Sequence, residues 1–106
     1  MTLPVSRSRP IDVDGIPYRW SVAAVGGSGH ALLAESAGRV SVAVELVREV
    51  EGMFWLYTAG RWHVGPVTVH WVRAFLELAQ NAGWSPAPGG STTWFRMGPS
   101  GLQRLG

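Results

Sequence analysis

The residue types that most often carry chemistry are sparse in this chain of 106 residues. Its three histidines are His30, His63 and His70, and no two of them have the i, i+4 helical spacing or the i, i+2 strand spacing that prepares a metal-binding pair. Cysteine does not occur, which excludes thiol nucleophiles, disulfides and thiolate metal sites. The sequence therefore predicts no metal site and no cofactor.

The carboxylates form two groups, and neither group is arranged for acid–base work. Asp12 and Asp14 alternate along one predicted strand, where Asp14 already belongs to a turn. The second group lies at the end of a predicted strand and consists of Glu45, Glu49 and Glu51. This second group is typical of a solvated acidic corner, so we expect no catalytic residues and a protein that is not an enzyme.

A Gly-rich segment at residues 26–29 follows a predicted strand, a setting in which backbone amides can hold a phosphate. It lacks the Gly-Lys-Ser/Thr ending of the Walker pattern and does not match Gly-x-Gly-x-x-Gly, so we favour a plain connecting loop. Ser28 in this segment lies outside any Gly-x-Ser-x-Gly elbow and has no obvious acid partner. A small enzyme or ligand-binding site around residues 26–30 and His63 is our least favoured hypothesis.

Tryptophan is unusually frequent, with six residues in the chain, which is more than one small core needs. Tryptophan and arginine dominate the residues that carry binding energy at protein interfaces. The best candidates for a partner-binding surface are Trp55, Tyr57, Trp62, Trp71 and Arg73. Our first hypothesis is a non-enzymatic accessory or protein-interaction domain that binds a protein partner, or a second copy of itself, through an aromatic sheet face.

The second hypothesis is a weak single-stranded nucleic-acid binder, since aromatic rings beside arginine also stack on bases. The arginines involved would be Arg19, Arg39, Arg61 and Arg73. The net charge of +2 is small compared with the basic stripe of a dedicated nucleic-acid binder. No apolar run reaches the roughly 18 residues that span a bilayer, and the amino end lacks a hydrophobic signal core. We therefore expect a cytoplasmic protein with no membrane partner.

The clearest element of the scaffold that positions these residues is a helix between Gly65 and Trp84. Thr68 can cap its start, Gly83 can take the left-handed conformation past its last turn, and Trp84 can fold back as a hydrophobic stop. Its apolar stripe consists of Val69, Val72, Phe75, Leu76, Ala79 and Ala82. A lone helix of this length is marginal in water, so it needs a surface on which to pack.

Alternating apolar residues predict that this surface is an antiparallel sheet of about four to five strands, with the helix packed on one face. The predicted order is β-β-(β)-β-β-α-β, with a hairpin at Asp14-Gly15. Segment 31–37 fits either a short helix or a strand, and we favour the strand. The predicted elements are the hairpin in 10–22, strands at 39–47, 53–58 and 92–97, and a link to the helix at 61–64. Residues 1–9 and 98–106 are predicted tails of a single α+β domain at 10–97.

Three short motifs resemble those of a known group of proteins. They are Asp-Gly-Ile-Pro-Tyr-Arg-Trp at 14–20, Gly-Pro-Val at 65–67 and Gly-Trp-Ser-Pro at 83–86. The combination resembles small uncharacterised bacterial proteins with an Asp-Gly-x-x-Tyr-x-Trp hairpin and a Gly-Trp-x-Pro motif after their helix, over roughly residues 11–97. Because these motifs are a turn and a helix stop, the resemblance implies a fold and carries over no catalytic or binding residues.

Overall fold

The computed structural model describes residues 8–26, 29–36, 38–86 and 91–105. Eight strands and one helix are found in this part of the chain. They are β1 Arg9–Val13, β2 Ile16–Val25, β3 Gly29–Ser36, β4 Arg39–Val50, β5 Met53–Thr58, β6 Arg61–Gly65, α1 Val69–Asn81, β7 Thr93–Gly98 and β8 Gly101–Leu105. No helix among the described residues has the length and apolar character needed to cross a membrane.

The predicted fold class is wrong. Strands occupy 63% of the described residues, and the sheet curls into a half-barrel instead of forming a four- or five-stranded sheet with a helix packed on one face. The two strands that were not predicted, β6 and β8, have mostly exposed side chains on both faces. A strand with little buried surface needs no apolar alternation, which is why the link at 61–64 and the tail at 98–106 gave no strand signal.

Strand β4 is the branch point of the sheet. Strands β1 to β6 pair with their neighbours in chain order, all antiparallel. Residues 42–45 of β4 also pair with β7, and this pairing is parallel. A parallel pair needs a long connection, which the stretch containing α1 supplies. The prediction of a purely antiparallel sheet therefore fails at β7, while β7 and β8 form an ordinary antiparallel hairpin.

The β1–β2 hairpin confirms the turn predicted from Asp14-Gly15. Asp14 and Gly15 have φ angles of 52° and 78°, as a type I′ turn requires. Strand β3 confirms the preference for a strand at 31–37, although Ala37 lies outside the described residues, as do Gly27 and Ser28 of the predicted Gly-rich loop. The pairing of β3 with β4 shifts after Ala34, which is a β-bulge.

Both ends of α1 confirm the predicted helix signals. The Thr68 side chain accepts a hydrogen bond from the Trp71 N–H at 3.3 Å. At the other end the Trp84 N–H donates to the Ala79 carbonyl, and the Gly83 N–H donates to the Gln80 carbonyl, both at 3.0 Å. With Gly83 at a φ of 96°, this is a Schellman motif, which satisfies carbonyls that the helix end leaves unpaired.

The core lies inside the curl of the sheet, between the inner sides of β1–β5 and β7 and one side of α1. Its helical members are Trp71, Val72, Phe75, Leu76 and Ala79. Two residues of the predicted stripe, Val69 and Ala82, are exposed because they lie at the first helical position and at the C-cap. A second, smaller cluster on the outer side of the sheet consists of Ala31, Leu33, Val40 and Ala43.

Candidate functional site

The outer side of β4, β5 and β6 carries a contiguous set of apolar side chains, which we call the β4–β6 face. Successive residues of a strand point to opposite sides, so residues paired across neighbouring strands share a side. Trp55 is paired with Val47 on β4 and with Val64 on β6, and Tyr57 is paired with Trp62. The β4–β6 face therefore consists of Val47, Trp55, Tyr57, Trp62 and Val64.

This face is open to solvent. Val47 is 66% exposed, Trp62 is 42% exposed, and Trp55 and Val64 are each more than one-third exposed. The alternate residues of β5, Phe54 and Leu56, are buried in the core. Strand β5 is thus apolar on both sides. One side packs inside the curl, and the other forms part of the exposed face. Contiguous exposed apolar surface of this kind often marks an interaction site.

Several polar groups around the β4–β6 face are paired within the chain. The Trp55 Nε1–H donates to Glu49 Oε2 at 2.6 Å, and Arg96 Nε donates to Glu45 Oε1 at 3.0 Å. The Tyr57 hydroxyl donates to the Pro99 carbonyl at 3.4 Å. The Tyr57 and Trp62 rings meet edge to face, with centroids 5.1 Å apart. The aromatic rings are thus held by neighbours within the chain while part of their surface stays exposed.

Three of the five predicted partner-binding residues, Trp55, Tyr57 and Trp62, come together on this face. The other two lie on α1. Trp71 is buried and stacks on Phe75, with ring centroids 5.8 Å apart. Its position four residues before Phe75 was the signal that it belongs to the buried stripe. Arg73 is exposed and donates from Nη1 to the Asp12 carbonyl at 2.9 Å, which ties α1 to β1.

Two members of the face, Val47 and Val64, were missed by the sequence reasoning. Val47 follows Ser41, Ala43 and Glu45 on the outer side of β4, and it is the one large apolar residue of these four. That alternation was a usable signal. Val64 gave no comparable signal, because its place on the face depends on β6 pairing with β5, and β6 lacks apolar alternation.

The four arginines of the nucleic-acid hypothesis do not form a stripe beside the aromatic rings. They lie on four different elements, which are β2, β4, β6 and α1. Arg39 is the first residue of β4, and Arg61 is the first residue of β6. The Arg19 guanidinium donates to the Ser8 hydroxyl and carbonyl at 2.8 and 2.7 Å. A groove for single-stranded nucleic acid needs stacking rings and basic side chains along one track.

The histidines lie on three elements, β3, β6 and α1. His30 packs on the Phe54 ring, with centroids 5.7 Å apart, while His63 and His70 are exposed. Within the described ranges, no group of three or more histidine, aspartate or glutamate residues could hold a metal ion.

The fold buries the Tyr18 side chain. Burial raises the pKa of its phenol, a weak hydrogen bond from Gln80 Nε2 at 3.5 Å opposes the rise, and the charge of Asp14 adds to it. Its side chain belongs to the core, where the ring packs near Trp84. A buried phenol that holds its proton more tightly than usual is a structural group and a poor general base.

Comparisons of the chain with protein-family models, with curated proteins and with solved structures find no match in any of the three.

Proposed function

We propose that this chain is a small, non-enzymatic protein-interaction domain that binds a second copy of itself through the β4–β6 face. The observation that carries the proposal is the exposure of Val47, Trp55, Trp62 and Val64 side by side on three paired strands. Removing such side chains from water stabilises an association by roughly 25 cal/mol per Å² of apolar area. The absence of cysteine is compatible with the reducing cytoplasm, where we propose that the domain works.

A protein partner suits this face better than a nucleic acid does. Arg96, one of the arginines near it, is paired with Glu45, so that charge is compensated within the chain. Binding to a phosphate backbone draws its affinity from uncompensated basic groups. Aromatic and aliphatic side chains with little free charge are instead typical of the centre of a protein interface.

A second copy is the partner that the charge pattern favours. Specificity for a different protein is commonly set by complementary charges, with like charges rejecting the wrong partner. The charged groups at the β4–β6 face, Glu45, Glu49 and Arg96, already bind groups of their own chain. The Glu45–Arg96 pair has no net charge and presents little repulsion to an identical face, and two sheets related by a twofold axis can pack about 10 Å apart.

The test is the oligomeric state of the Val47→Glu variant, measured by sedimentation velocity over a range of concentrations. Val47 is 66% exposed, so the change leaves the monomer intact. In a twofold dimer the substitution occurs twice, and burying each carboxylate costs more than the roughly 1–3 kcal/mol of a neutral polar group, so the dissociation constant should rise at least about 30-fold. Val69→Glu is the matched control, because Val69 is 43% exposed on α1, away from this face.

We expect the wild-type chain and Val69→Glu to dimerise and Val47→Glu to remain monomeric. A wild-type chain that stays monomeric at every concentration would refute self-association. Equal dissociation constants for wild type and Val47→Glu would show that the dimer uses another surface.

A further inference from the structure

A groove separates α1 from the ends of β5, β7 and β8, at one mouth of the half-barrel. Its volume is about 560 Å³, which falls within the roughly 300–1,000 Å³ typical of small-molecule sites. The side chains that carry the argument are Thr58, Trp71, Phe75, Glu77, Leu78 and Met97.

The inner walls of the groove are apolar and preformed. Trp71 and Phe75 are buried and stacked with their planes 7° apart, and Phe75 also meets Phe95 of β7 edge to face. Met97 is half-buried and packs against the same core. Leu78 is 51% exposed at the rim, so apolar surface continues from the walls to the solvent. A rigid apolar cleft of this kind can take an apolar ligand without reorganising.

Two polar side chains give the groove a preference. The Thr58 Oγ1 is buried and has no hydrogen-bond partner, and Thr58 lies on the groove wall. A buried hydroxyl without a partner costs free energy, which a ligand that brings a polar group can recover, and the hydroxyl can either donate or accept. Glu77 on the helical side carries a negative charge, and none of the lining residues is an arginine or a histidine. The groove therefore favours a ligand that brings a polar group and a positive charge.

We propose that this groove binds a hydrophobic amine, with its apolar body against Trp71, Phe75 and Met97 and its ammonium group toward the polar side chains. An ammonium group has three donors and a full positive charge, which suits both Thr58 Oγ1 and the carboxylate of Glu77. A carboxylate on the same apolar body meets repulsion from Glu77. In water near the rim, the attraction of the ammonium group and the repulsion of the carboxylate are each worth about fivefold in affinity, so the amine should bind about thirtyfold more tightly than the acid.

The experiment titrates the whole chain with 1-naphthylmethylamine and, separately, with 1-naphthoate, and follows the indole N–H signals of the six tryptophans by NMR. We expect the amine to shift the Trp71 signal saturably, with the signal of Trp55 on the β4–β6 face unchanged. Trp62 is not used as a control, because its ring contacts Tyr57, which also lines the groove. The acid should bind about thirtyfold more weakly. Because Trp71 reports on the groove and Trp55 on the β4–β6 face, the result can be distinguished from dimerisation.

Two variants assign the binding to the groove. Ala74→Trp fills the groove from α1 and should abolish the Trp71 shift, while His70→Trp places the same ring on an exposed helical position outside the groove. Glu77→Gln should bring the affinities for the amine and the acid together. The proposal is overturned if both probes bind wild type equally, if the Trp55 signal moves while that of Trp71 does not, if no signal moves, or if folded Ala74→Trp binds as wild type does.

Discussion

Replacing Leu76 with aspartate tests whether the packing of the buried side of α1 against the sheet stabilises the fold. Leu76 is fully buried among residues of the sheet and the helix. Loss of its side chain volume alone costs about 2–5 kcal/mol, as in Leu→Ala changes in other cores. Placing a carboxylate there adds several kcal/mol, since the charge must be desolvated or must take up a proton.

The sum of these costs reaches the whole stability of a domain this size, which is about 5–15 kcal/mol. We therefore expect Leu76→Asp to be unfolded at 25 °C. The matched control is Leu78→Asp, two residues later on the same helix, where the side chain is 51% exposed. That change should cost about 1–2 kcal/mol, from the lower helix propensity of aspartate and its charge near the carboxyl end of the helix.

Far-ultraviolet circular dichroism and thermal melting distinguish the two outcomes. Leu78→Asp should keep the wild-type spectrum and melt cooperatively a few degrees lower, while Leu76→Asp should show no cooperative transition. If Leu76→Asp stays folded with a melting temperature close to that of Leu78→Asp, then the packing of α1 inside the curl does not stabilise the fold as argued.

Two further predictions concern the helix end and the buried phenol. Gly83 has a φ of 96° and space for a Cβ atom, so Gly83→Ala should lower the free energy of unfolding in urea by about 1–2 kcal/mol through backbone strain alone. Gly65→Ala is the control and should lower it little, because its Cβ would only touch His63 Cδ2 at 3.7 Å. Equal losses in the two variants would contradict the strain argument. The folded pKa of Tyr18 lies above its unfolded value of 10.0, so its contribution to stability is complete below pH 10 and declines by up to about 1.4 kcal/mol per pH unit as the pH rises further. Tyr18→Phe should remove that decline in equilibrium unfolding measured from pH 8 upward, and the absence of lysine and cysteine leaves few other groups that titrate there.

The elements that the sequence predicts correctly are those whose signals are local. Asp14-Gly15 forms its turn because both residues tolerate positive φ, and Thr68 and Gly83 bound α1 because each satisfies backbone groups within a few residues of itself. Strands β3 and β4 are likewise predicted from a local signal, because the residues that face the core are apolar in both strands.

The elements that the sequence analysis misses depend on contacts distant in the chain. Strand β6 is held by its pairing with β5 and β8 by its pairing with β7, and neither strand buries enough surface to need an apolar pattern. The parallel pairing of β7 with β4 joins residues that are about fifty positions apart. A local pattern cannot encode such a pairing, because many registers satisfy it equally well.

The same division applies to the candidate sites. The sequence by itself determined that Trp55 and Tyr57 share one side of a strand, because alternation is a property of the backbone. Only the tertiary structure decided that Trp62, Val47 and Val64 join them, that Trp71 is buried, and that a groove opens beside α1. The reason is that side-chain direction follows from local geometry, whereas exposure depends on which distant element covers each side, and here the sheet curls around the helix and leaves the β4–β6 face open.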